Sequence, residues 1–97
     1  MIDSDIMSHD ENTFEKLSSL LDDQYTWPDY YLFKFIVPVD SLDLLKDILI
    51  PLDSDVDTKL SKKGNYVSVS VRPLIKKTDD VIEVYENVKK VKGIVVL

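Results

Sequence analysis

Lys34, Lys63, Asn65, Tyr66, Ser68 and Ser70 are of types that together can hold an anion. Two ammonium groups supply charge, while one carboxamide and three hydroxyls supply directed hydrogen bonds. A carboxylate or phosphate fits such a set through charge-assisted hydrogen bonds. Gly64 lies in the same stretch, and Arg72 stands at its rim. The same residues also suit an ordinary half-solvated sheet face ending in a tight turn. On residue types alone, that plainer account is preferred.

Catalytic chemistry finds less to work with. His9 is the single histidine, and it sits in a polar, acidic stretch with no rigid neighbour to orient it as a general base. Ser61, Ser68 and Ser70 have no histidine partner in the folded part, so none is an activated nucleophile. The alternation Asp53, Asp55, Asp57 resembles part of a calcium loop. It lacks the glycine after the third acid and the closing glutamate, so no metal site is expected. Cysteine is absent, which removes disulfides, thiolate catalysis and thiolate-bound metals. With two glycines there is neither a P-loop nor a dinucleotide turn, and no cofactor is expected.

Four strand-like segments and three helical ones must position these side chains. Residues 11–23 form an amphipathic helix with Phe14, Leu17, Ser18 and Leu21 on one face, serving as a lid or a docking segment. Residues 30–37 form an aromatic-rich strand closed by Pro38. Tyr31, Phe33, Phe35 and Val37 point one way; Leu32, Lys34 and Ile36 point the other. Asp40 or Ser41 caps a helix carrying Leu42, Leu45, Ile48 and Leu49, which Pro51 ends. A hairpin follows, with strands 56–62 and 66–72 about a Lys63-Gly64-Asn65 turn in which Gly64 takes a positive φ. Its second strand sends Val67, Val69 and Val71 inward. Thr78 or Asp79 caps a helix with Val81, Tyr85 and Val88 buried, and residues 94–97 make a short buried strand.

The order is a helix followed by strand–helix–strand–strand–helix–strand. This predicts an α+β domain, a ferredoxin-like βαββαβ sandwich with a four-stranded antiparallel sheet, two helices on one face and an extra N-terminal helix. The boundary falls between a tail and amphipathic helix over 1–26 and a βαββαβ domain over 27–97. The first and third of these strands should lie side by side, placing Lys34 next to Ser68 and Ser70 on the uncovered face.

Composition narrows the function classes. A chain of 97 residues with 44% apolar content supports one domain and one core. No apolar run is long enough to span a membrane, and the acidic start, Met1-Ile2-Asp3, is unlike a secretory signal. A cytoplasmic protein is therefore expected. Up to Asp57 there are 14 acidic and 3 basic residues; beyond it there are 9 basic and 4 acidic. The net charge of −6 argues against nucleic acid as a partner, and too few aromatics face outward for an RNA-recognition sheet. The basic half can still meet an anionic partner, or the acidic half of a second copy.

Two stretches also carry a family likeness. Trp27-Pro28 followed by the aromatic run 29–36 with Lys34, then Ser61-Lys62-Lys63-Gly64-Asn65-Tyr66 leading into alternating Val and Ser, resembles the YbeD-like family of small bacterial proteins. The ending Lys92-Gly93-Ile94-Val95-Val96-Leu97 is similar too. The resemblance covers residues 27–97. It implies the fold just described, akin to the ACT regulatory domains, and a bacterial cytosolic protein without established activity. The family's provisional label is lipoate-related regulatory proteins. Two departures matter: the helix over 11–23 is an extension, and the first strand-to-helix turn, Pro38-Val39-Asp40-Ser41, lacks the glycine of amino-acid-binding ACT domains.

The expected function is a non-enzymatic regulatory or adaptor domain, acting through a protein partner or a homodimer. The alternative is a sensor of a small carboxylate, lipoate-like or an amino acid, using Lys34 and the 63–70 hairpin.

Overall fold

The computed structural model describes residues 10–97, with side chains in the first helix from residue 15 onward. His9 and the tail before it, and the side chain of Phe14, lie outside the described residues. Helix α1 is Asp10–Gln24. Leu17 and Leu21 are one turn apart, and Tyr25 extends the row because its amide still donates to the Leu21 carbonyl at 2.9 Å. Leu21 is buried in the core, whereas Leu20 on the neighbouring face is exposed. The helix packs on the domain's own last helix, α3 (Thr78–Val88). Core contacts thus run across the 26/27 boundary.

The aromatic strand is interrupted. Strand β1 (Asp29–Tyr30) pairs with β5 (Leu74–Ile75), and β2 (Phe33–Pro38) pairs with β4 (Tyr66–Val71). Both ladders are antiparallel and share one register, with Tyr30 opposite Leu74 and Phe33 opposite Val71. The gap lies where Pro73 has no amide to donate. Its carbonyl still accepts from the Tyr31 amide at 3.1 Å.

Strand β3 (Val56–Leu60) completes a hairpin with β4, and β6 (Val95–Val96) pairs with β2. The four-stranded sheet has the order β3-β4-β2-β6, and the β1–β5 pair forms a second, two-stranded sheet. The architecture is mixed α+β, with three α-helices among the described residues and two antiparallel sheets.

Alternation decides the core. Phe33, Phe35 and Val37 from β2 and Val67, Val69 and Val71 from β4 are buried. Opposite them lie Leu45 and Leu49 of helix α2 (Leu42–Leu49) and Val81, Val84 and Val88 of α3. Burying a side chain of this kind contributes about 1.5–3 kcal/mol each, so this two-layer core dominates stability.

Three local expectations need correction. The hydroxyl of Ser41 sits at the start of α2 but makes no cap; it donates to the Lys92 carbonyl at 3.0 Å and ties the helix entry to the chain before β6. Helix α3 is capped by position at Lys77, with no side-chain cap bond, and Thr78 lies inside the helix with its hydroxyl turned back toward α1. The last strand is not buried: Val95, Val96 and Leu97 are 50%, 48% and 63% exposed. The apolar run reads as interior, yet among the described residues β6 is an edge strand with β2 as its one neighbour.

Candidate binding surface

The side chains that alternate with the buried ones form the sheet's other face. Register places them in rows. One row crosses Lys34 of β2, Ser70 of β4 and Asp57 of β3; the next crosses Val95, Ile36, Ser68 and Lys59. The Leu97 amide donates to the Lys34 carbonyl at 2.9 Å and extends the first row by one residue. Lys34, Asp57, Lys59 and Tyr66 are exposed; Ile36, Ser68 and Ser70 are half-buried. Lys34 therefore does stand beside Ser70, as strand order predicted.

The anion-holding set is not gathered at one point. Tyr66 pairs with Pro38, four residues along the ladder from Lys34, which is about 13 Å at strand rise. Lys63, Gly64 and Asn65 lie beyond Tyr66 in the turn. There Gly64 has φ +77°, and its amide donates to the Ser61 carbonyl at 3.0 Å. The Asn65 carbonyl accepts from the Val39 amide at 3.0 Å, so Asn65 also anchors the end of β2. Lys34 and Ser70 thus hold one end of the face, and the turn residues hold the other.

What the face does contain is a shallow depression of about 480 Å3 near the hairpin end. Ile36, Leu60 and Tyr66 give it apolar walls, Ser61 and Ser68 give hydroxyls, and Lys59 and Lys62 give charge. Of the expected residues only Tyr66 and Ser68 line it. Lys59 and Lys62 were missed, although pairing Ser61 with Tyr66 across the turn would have put Lys59 beside Ser68.

The helical side holds a different polar group. Trp27 donates its indole N–H to the Thr78 hydroxyl at 2.7 Å, and that hydroxyl donates to the Asp22 carboxylate at 2.5 Å. Tyr25 stacks on Trp27 with ring centroids 4.8 Å apart. Tyr31 meets Tyr85 through their hydroxyls at 2.9 Å. Burial, reinforced by that hydrogen bond, pushes the Tyr85 hydroxyl far above the usual tyrosine range. Each of these polar atoms is satisfied within the fold, so the cluster fixes α1 rather than awaiting a ligand. No group of metal-binding side chains occurs among the described residues, and no helix there is long and apolar enough to cross a membrane.

Residues 42–97 match the family model described as "Protein of unknown function (DUF493)". The match takes in α2, the β3–β4 hairpin, α3 and β6, and leaves out the Trp27-Pro28 motif and α1. No curated protein and no solved structure matches the chain.

Proposed function

We propose, from the premise that this chain belongs to the DUF493 family of proteins of unknown function, that it is a non-enzymatic regulatory or adaptor domain working by protein contact through its sheet. The observation that carries this reading is the face of the four-stranded sheet that no described element covers. Exposed Tyr66, Val95 and Leu97 lie there among cations, on a rigid scaffold whose opposite face is filled by the core. Apolar groups interleaved with charge, held on strands rather than on loops, suit recognition of another macromolecule. The strand order β3-β4-β2-β6, with α2 joining β2 to β3 and α3 joining β5 to β6, supports the ferredoxin-like reading and its likeness to ACT domains. The hairpin sequence supports the YbeD-like assignment, and that assignment in turn supports a cytoplasmic location.

One observation favours a second reading, a sensor of a small carboxylate. The depression joins apolar walls to Lys59 and Lys62, which suits an acid with a short apolar tail. Thermal unfolding with medium-chain carboxylates, amino acids and nucleotides separates the two. A ligand at ten times its dissociation constant adds about 1.4 kcal/mol, or roughly 6–11 °C in a domain of this size. A shift confined to carboxylates would favour the sensor; no shift across the panel favours protein contact.

A further inference from the structure

Strand β3 lies at one end of the sheet, with β4 on one side and, among the described residues, no strand on the other. The Ser61 amide donates to the Tyr66 carbonyl at 2.8 Å, so alternation turns the backbone groups of Asp57, Lys59 and Ser61 toward β4. Those of Val56, Thr58 and Leu60 then point out of the free edge. An edge with unpaired amides and carbonyls is a template for another strand.

The side chains of this edge have an unusual symmetry. About Thr58, reversing the strand exchanges Asp57 with Lys59, Val56 with Leu60, and Asp53 with Lys63. Acids precede the centre and cations follow it. Leu60 is 60% exposed, and Asp57 and Lys59 are both exposed.

We propose that a second copy of this chain pairs antiparallel along β3, with a two-fold axis at Thr58, making one continuous eight-stranded sheet. This deepens the contact reading above by naming the partner and the edge. In that register the outward backbone groups of Thr58 meet those of Thr58 in the second copy, and those of Val56 meet those of Leu60. Asp57 lies directly opposite Lys59 of the second copy at the close, non-hydrogen-bonded spacing where opposite charges attract. Leu60 of each copy gains Val56 of the other. Sliding the strands so that Asp57 faces Asp57, or Lys59 faces Lys59, brings like charges together, so the register is specified. An uncharged strand from another protein would leave both charges unpaired. The edge therefore repels general pairing and accepts its own kind.

Sedimentation equilibrium on the full chain at low salt tests this. The wild type should dimerise reversibly and weaken as salt rises. Asp57→Lys and Lys59→Asp should each weaken dimerisation tenfold or more while melting like the wild type at concentrations too dilute for the dimer. An equimolar mixture of the two variants should form a heterodimer, and the double exchange on one chain should restore the homodimer. A wild type that stays monomeric at millimolar concentration would overturn the proposal. So would a dimer indifferent to both variants, or a mixture that fails to associate. A monomeric wild type that still answered the carboxylate panel would overturn the edge pairing and leave the open face standing. The full charge-exchange pattern, in a protein whose dimer ignores Tyr66→Ala, would place the contact at the edge and not on the face.

Discussion

The indole N–H of Trp27 reaches the hydroxyl of Thr78 at 2.7 Å across 51 positions of sequence, and the same hydroxyl donates onward to Asp22. One buried oxygen thus joins the segment entering the sheet, the start of α3 and the end of α1. Three elements that sequence order keeps apart are locked at a single atom.

Thr78→Val keeps the shape and removes both bonds. It should cost about 1–3 kcal/mol, since the indole and the carboxylate lose their partner in a partly buried setting. The melting temperature should fall by about 4–8 °C for each kcal/mol. Trp27 is the sole tryptophan, so its fluorescence reports the same change locally.

The two glycines should respond differently to alanine. Both have positive φ, +77° at Gly64 and +78° at Gly93. A Cβ at Gly64 meets open space, so Gly64→Ala should cost only the left-handed backbone penalty, about 1 kcal/mol. A Cβ at Gly93 would lie 2.7 Å from Cγ of Pro38, a rigid ring at the end of β2. Gly93→Ala should cost about 2 kcal/mol or more and loosen β6; urea unfolding measures both.

Tyr85 gives the fold an alkaline limit. Its folded pKa is raised above the ordinary value near 10, so the native state holds its proton where the unfolded chain has released it. The stabilising contribution is complete below about pH 10 and is lost as pH climbs above that. Tyr85→Phe cannot ionise, so its stability should decline less than that of the wild type between pH 10 and 12. Denaturant midpoints across that range give the comparison.

On the open face, the lysines that line the depression should behave unlike Lys34, which does not. If a carboxylate enters the depression, Lys59→Ala and Lys62→Ala should each weaken it about tenfold, matching the loss of one charge-assisted hydrogen bond. Lys34 stands one row beyond the Ile36 wall, about 7 Å along the strand, so Lys34→Ala should weaken affinity much less than either. An effect at Lys34 alone would relocate the ligand to the row shared with Ser70. Isothermal titration with octanoate reads all three.

Much of the scaffold was legible because alternation is a local signal. Phe33, Phe35 and Val37 against Val67, Val69 and Val71 declare which face is inward, and the meeting of Lys34 with Ser70 followed from strand order. Thr78 was harder. A threonine followed by two aspartates reads as a helix cap, and nothing nearby announces that Trp27 and Asp22 claim its hydroxyl. The interruption after Tyr30 depends on Pro73, a partner only the register reveals. The exposure of Val95, Val96 and Leu97 escaped because composition marks apolarity and edges are a property of topology. Asp53, Asp55 and Asp57 have the spacing of a broken calcium loop, but they lead into β3 at the end of the sheet, where Lys59, Lys62 and Lys63 follow them.

The chain has no cysteine, so a single Thr58→Cys places one thiol at the proposed two-fold axis. In a hydrogen-bonded antiparallel pair the Cα atoms are about 5.5 Å apart, within disulfide reach. Mild oxidation should convert this variant to a covalent dimer much faster than Ser68→Cys on the open face. Faster linkage through Ser68→Cys, or none through either at millimolar protein, would contradict contact along the edge of β3.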